Sequence, residues 1–151
     1  MSDYNELYQQ IILEHNKKPR NFKKLESPDA KVSLGKNPLC GDHYYVMVDV
    51  ADDGTITDIG FQGDGCAISK ASASMMTKAV VGKKKDEALQ MRTEFHRMLT
   101  EDLPADHHLG KLTILSGVKD YPVRVKCALL PWTALKDAVA RAAAAPEEEN
   151  P

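Results

Sequence analysis

The chain has 151 residues, is 42% hydrophobic and carries a formal net charge of -2. That length suits one domain around a single core, and the apolar fraction is that of a folded chain rather than a disordered one. Nearly balanced charge argues against a nucleic-acid binder, and no apolar run is long enough to span a membrane.

The first segment, YNELYQQIILEH over residues 4–15, repeats Leu7, Ile11 and Ile12 at helical spacing, joined by Tyr4 and Tyr8. Ser2 or Asp3 can cap its start, and Pro19 with Arg20 and Asn21 ends it. Residues 22–36 read as loop with a short strand at 31–34. HYYVMVDV (43–50) and TITDIGF (55–61) are strands, joined by the turn Ala51-Asp52-Asp53-Gly54 into a hairpin. GDGC at 63–66 reads as a tight turn, followed by a helix from Cys66 to Val81 stopped by Gly82. A further helix is expected at 86–99, a loop at 100–108 and a short helix at 109–115. Tyr121-Pro122 marks a turn. The last helix is expected over 128–144, with Pro131 confined to its first turn. Residues 1–145 form one domain on this reading, and the acidic stretch 146–151 a disordered tail. Strands flanked by helices without βαβ alternation make an α+β fold: a small antiparallel sheet of about three strands with helices on one face.

The chain has three cysteines, Cys40, Cys66 and Cys127. The N-terminus shows no basic region followed by an apolar run, so a cytoplasmic location is expected. An odd cysteine count in that setting argues against a disulfide framework and leaves buried, reactive or metal-bound thiols open. Cys40-Gly41-Asp42 puts two candidate ligands around a glycine that permits a tight turn. Cys66 follows a second glycine turn, and Cys127 lies at or just before a helix start. Helix N-termini carry positive partial charge, which favours thiolate. Three thiolates and one carboxylate, Cys40, Asp42, Cys66 and Cys127, would make a complete tetrahedral set for zinc, and soft sulfur donors point to zinc or iron–sulfur chemistry and away from magnesium or calcium. Arg124 or Lys126 would offset the negative charge of such a site.

The histidines are weaker ligand candidates. His107 and His108 read as solvated and His96 as part of a charged helix. His15 is a cation suited to a helix C-terminus, and only His43 is near the constellation. Lys83–Lys85 reads as a solvated helix boundary, and Met75, Met76, Met91, Met98 and Trp132 as core.

LYQQIILEHNKKPRNF, NPLCGD, GDGCAISKASASMM and YPVRVKCALLPW together resemble the U-type proteins of iron–sulfur cluster assembly, over nearly the whole chain. The resemblance is closest to the zinc-dependent SufU type, within an IscU/SufE-like fold. IscU-type scaffolds carry histidine immediately before the third cysteine, where this chain has Lys126. The long gap between Cys66 and Cys127, filled by the 86–115 helical stretch, also matches SufU-type proteins. Pro131-Trp132 departs from the usual family wording. The resemblance implies one Zn²⁺ per chain and a sulfurtransferase served by a SufS-type cysteine desulfurase, itself a pyridoxal-phosphate enzyme. Cys40 would accept persulfide sulfur for a downstream assembly scaffold, while Asp42, Cys66 and Cys127 stay on the metal. Arg124 would help dock the partner or balance charge. The competing reading is an IscU-like scaffold that builds a [2Fe–2S] cluster on the same ligands.

Overall fold

A computed structural model describes residues 2–27, 30–37, 41–103 and 105–143. In chain order these form α1 (Ser2–Lys17), β1 (Lys31–Asn37), β2 (Asp42–Val50), β3 (Ile56–Asp64), α2 (Ala67–Val80), α3 (Lys85–Thr100), a 3₁₀ helix (Gly110–Asp120) and α4 (Pro122–Ala143). The expected tail at 146–151 lies outside the described residues. No helix among the described residues is long and apolar enough to cross a membrane.

The sheet is antiparallel in the order β1-β2-β3. Alternation along β2 turns Tyr44, Val46 and Val48 inward, where Val46 faces Phe61 and Val48 faces Ile59 of β3. On β1 the inward positions are Ser33, Gly35 and Asn37. Small size is needed there because α4 comes close: a Cβ on Gly35 would lie 3.2 Å from the Leu130 carbonyl oxygen and 3.3 Å from the Ala134 Cβ. The helices cover that inner face, so the expected fold class is the observed one.

Between α4 and α1 runs α2, whose sequence AISKASASMMTKAV is poor in large apolar residues yet buried on most sides. Its hydroxyls bind a different neighbour at each turn. Ser69 Oγ lies 2.9 Å from the Tyr44 hydroxyl on β2. Ser72 donates to the Ala128 carbonyl of α4 at 2.6 Å. Ser74 Oγ lies 2.6 Å from His15 Nδ1 on α1 and accepts the Arg20 N–H at 2.8 Å. Thr77 Oγ1 meets Asn21 Nδ2 at 3.1 Å. All four side chains are fully buried, and all have partners, as burial of a hydroxyl requires.

Several boundaries differ from expectation for local reasons. Strand β3 continues through Gly63 and Asp64, so GDGC is not a tight turn: its first half is strand, and only Gly65 and Cys66 link β3 to α2. The short helix continues past Gly117 to Asp120. Helix α4 begins at Pro122, not at residue 128. A proline at the first helical position gives up an N–H that would lack a partner anyway, so Tyr121-Pro122 starts the helix. Pro131 then sits in the helix interior, not in its first turn. It has no N–H to offer the Cys127 carbonyl four residues earlier. Cys127 is accordingly the sixth residue of α4 rather than a helix-start residue.

The core readings hold. Met75, Met76, Met91 and Met98 are buried, and Trp132 stacks on Phe95 with ring centroids 4.9 Å apart. His15 does not fit the expected C-terminal cation. It is buried, and burial together with the nearby Arg20 guanidinium lowers its pKa. The Ser74 hydroxyl both accepts from the Arg20 N–H and pairs with Nδ1, which fixes the ring between α1 and α2. His108 is not merely solvated: Glu94 accepts its backbone N–H at 2.8 Å and faces its Nδ1 at 3.2 Å. In the Lys83–Lys85 run, Lys84 reaches back to Asp53 at 3.3 Å and ties α3 to the hairpin turn.

Candidate metal centre

Three segments far apart in sequence converge at one end of the sheet. Asp42 opens β2, in phase with Tyr44, Val46 and Val48, so its carboxylate points inward and is 2% exposed. Cys66 caps α2: its backbone is extended, and its Sγ accepts the Ser69 N–H at 3.4 Å. The sulfur thus takes the place usually filled by a serine or aspartate oxygen, at the positive end of the helix dipole. Cys127 reaches the same point from the second turn of α4 and is fully buried.

The ligand atoms of Asp42, Cys66 and Cys127 all lie within 4.8 Å of one another. Asp42 Oδ2 is 3.8 Å from Cys66 Sγ. A tetrahedral zinc with bonds near 2.3 Å needs donor atoms roughly 3.7 Å apart, so this pair already has the right separation. Two soft sulfurs and one carboxylate fit zinc and leave one tetrahedral position for a further donor. Cys40, the expected fourth ligand, lies outside the described residues.

A second layer holds these donors. Asp42 Oδ1 accepts the Cys66 N–H at 3.0 Å, which ties the carboxylate to the start of α2. Ser69 Oγ donates to the Cys66 carbonyl at 3.0 Å and joins the Tyr44 hydroxyl. Burial drives the pKa of Tyr44 upward, so its phenol stays protonated. Gly65 fits among these groups because it lacks a side chain: a Cβ there would lie 2.6 Å from Ser69 Oγ and 2.7 Å from both Asp42 Oδ1 and the Tyr44 hydroxyl. The sequence reading did not single out Tyr44, Gly65 or Ser69. The available signal was phase, since Asp42 and Tyr44 share one strand face and Cys66 and Ser69 share one helical turn.

Arg124, on α4, lies beside Cys66 and Cys127, and its interaction with them, with Cys66 foremost, raises its already high pKa. Lys126 is exposed. His43 is exposed too, with Nδ1 3.4 Å from the Gly41 carbonyl and no place in the cluster.

The model of the family described as "NifU-like N terminal domain" matches residues 7–128. The chain belongs to this family. Its expected kinship with the U-type proteins is therefore shown. A protein of Streptococcus pyogenes serotype M1 named iron-sulfur cluster assembly scaffold protein IscU is 43% identical, over 95% of this chain and 89% of that one. The zinc-dependent sulfurtransferase SufU of Bacillus subtilis (strain 168) is 41% identical, over 89% of this chain and 90% of its own length. Among solved structures, FiSufU, a SUF-system protein of Fervidobacterium islandicum AW-1, superposes with a TM-score of 0.78 at 37% identity, covering 85% of this chain and 93% of that one. The N-terminal part of a NifU-like protein from Brucella abortus does so with a TM-score of 0.81 at 30% identity, covering 95% and 96%. U-type relatives with scaffold and transferase names thus lie at nearly equal distance, and the residues of the site must decide between them.

Proposed function

We propose that this protein is a zinc-dependent sulfurtransferase, which takes persulfide sulfur from a SufS-type cysteine desulfurase and passes it to an iron–sulfur assembly scaffold in the cytoplasm. The observation that carries this reading is the convergence of Asp42, Cys66 and Cys127 with a lysine, Lys126, directly before the last ligand. A protonated lysine cannot ligate a metal, whereas a histidine there could. Among the described residues the cluster therefore has sulfur and carboxylate donors and no imidazole.

Asp42, Cys66 and Cys127 would hold Zn²⁺, with Cys40 as fourth ligand. Zinc keeps thiols deprotonated and brings no redox chemistry of its own. Arg124, beside Cys66 and Cys127, would balance their negative charge once a metal holds them as thiolates. Cys40 would be the sulfur acceptor, its thiolate attacking the terminal sulfur of the donor persulfide. A new bond joins Cys40 Sγ to that sulfur, the donor's S–S bond breaks, and the donor cysteine leaves as thiolate. Electrons balance without an outside oxidant.

The test combines metal analysis with desulfurase turnover. About one zinc per colourless chain, together with raised turnover, supports the reading. Cys40→Ser should abolish sulfur acceptance while binding to the desulfurase survives. Persistent persulfide labelling of that variant sinks the assignment. The scaffold reading draws on the 43% identical relative named as a scaffold, and predicts brown protein with iron absorption. A structural zinc domain predicts zinc with desulfurase turnover unchanged.

A further inference from the structure

A cavity of about 920 Å³ lies well away from the metal centre, walled by α1, the segment after it, the second half of α2 and the 3₁₀ helix. Its α2 wall includes Met75 and Lys78, nine and twelve residues after Cys66. At the helical rise per residue, that is roughly 14 to 18 Å from the cysteine. Small-molecule sites run to about 300–1,000 Å³ and are mostly apolar with a few polar groups, and this cavity has both properties.

Ile11 of α1, Met75 of α2 and Leu112 of the 3₁₀ helix supply apolar wall, and Met75 and Leu112 are buried. His15 is the polar group set among them. It is 93% buried, being 7% exposed, and its Nδ1 is engaged by Ser74. Its other ring nitrogen, Nε2, makes no hydrogen bond among the described residues. A buried ring nitrogen in that condition is a group that a bound molecule can satisfy.

The rim is cationic. Lys78 and Lys111, from α2 and the 3₁₀ helix, both line the cavity and are exposed. Neither has an ion-pair partner among the described residues. Glu14 is the one acid in the lining, and the Arg20 guanidinium holds it. That hold, more than the nearby Lys78 charge, lowers the Glu14 pKa. Arg20, Lys78 and Lys111 against one carboxylate leave the lining net positive, with both lysines uncommitted.

We propose that this cavity binds an amphipathic anion, with a carboxylate or phosphate head between Lys78 and Lys111 and an aliphatic body over Ile11, Met75 and Leu112. The two lysines select the sign of the head. The apolar wall selects the body, since each buried methylene strengthens binding roughly fourfold. An amphipathic cation meets repulsion at the rim, and a simple inorganic anion leaves the apolar wall wet. The site is separate from the metal ligands, so neither the zinc nor the sulfur reading bears on it.

The experiment titrates the full-length, zinc-loaded protein by calorimetry with decanoate below its micelle concentration. Decyl phosphate, octanoate, decanol and decyltrimethylammonium are run in parallel. Saturable binding of one decanoate or decyl phosphate per chain is expected, and the tighter of the two identifies the preferred head. Octanoate should bind roughly tenfold more weakly than decanoate. Decanol and decyltrimethylammonium should be weaker than decanoate by at least tenfold. Two variants separate charge from volume. Lys78→Glu combined with Lys111→Glu reverses two exposed charges and should raise the Kd for decanoate at least tenfold. Ala79→Phe, at a half-buried position in the lining, fills the cavity, leaves its charges in place and should abolish binding. Circular dichroism and zinc content should match wild type in both. No saturable binding at millimolar decanoate and decyl phosphate overturns the proposal. So does equal binding of decyltrimethylammonium, which marks general partition onto apolar surface, or decanoate affinity within twofold of wild type in both variants. A wild-type dimer that the variants convert to monomers, with no decanoate bound by any form, assigns the cavity to a second copy and overturns it as well.

Discussion

Gly65→Ala offers a test of how tightly the candidate site is built. Gly65 does not have a left-handed φ, so an added methyl brings no backbone strain there. Its effect is steric and falls on three oxygens at once: Ser69 Oγ, Asp42 Oδ1 and the Tyr44 hydroxyl, at 2.6 to 2.7 Å from the new carbon. To regain ordinary contact each must retreat by about 0.7 Å. Asp42 Oδ1 holds the Cys66 N–H at 3.0 Å, and that retreat carries the pair past hydrogen-bonding range. A lost bond to a charged acceptor costs about 1.5–3 kcal/mol. Supporting contacts of this kind change metal affinity by roughly 10- to 100-fold. Zinc affinity, measured by competition with a chromophoric chelator, should fall within that range. Urea unfolding followed by the single tryptophan, Trp132, should show stability lowered by about 2 kcal/mol. Affinity within twofold of wild type would refute the view that this layer positions the carboxylate. Gly82→Ala is the natural control. There φ is +85° and nothing lies within 4 Å of the added carbon, so stability alone should drop, by about 1 kcal/mol.

Other outcomes follow from groups at and beyond the site. Chelation of zinc should lower the melting temperature, because a ligand bound only by the folded chain at 100 times its Kd contributes about 2.7 kcal/mol; a melting curve indifferent to chelator would count against metal binding. His15 is buried with its pKa lowered first by burial and then by Arg20, so the unfolded chain binds its proton more readily than the folded one. The stability it contributes is present above its ordinary pKa near 6.5 and is lost as pH falls through the lower folded value. Urea midpoints between pH 7 and pH 5 should therefore decline less steeply in His15→Gln than in wild type. Ser72→Ala deletes the hydroxyl that binds the Ala128 carbonyl and should cost about 1 kcal/mol in the same unfolding assay, with zinc still bound.

Much of the fold was legible because its cues are local. The hairpin was marked by Asp53-Gly54 between two β-branched runs, and α2 by a glycine at each end. The ligand candidates were legible because thiols and a carboxylate beside glycines are chemically distinctive. What escaped depends on contacts between distant segments. Pro131 was read as a helix-start signal, while Pro122 carried that role, because a proline inside a helix costs stability unless tertiary packing supports it. His15 suits a helix C-terminal cation from sequence alone because nothing near it in sequence announces Ser74, which binds it from α2. Gly65 matters through side chains of β2 and α2 that meet only once the sheet and helix are docked.

The hydroxyls of α2 have a mechanical consequence. A helix packed only through leucines can rotate about its axis or slide along it at modest cost, because dispersion is nearly indifferent to direction. Ser69, Ser72, Ser74 and Thr77 key α2 to β2, to α4, and to α1 with the segment after it, and hydrogen bonds tolerate little misalignment. Rotation and translation are both locked, and Cys66, at the end of this shaft, becomes a fixed datum. Any adjustment needed to seat a metal ion would then fall on the other segments that reach the site.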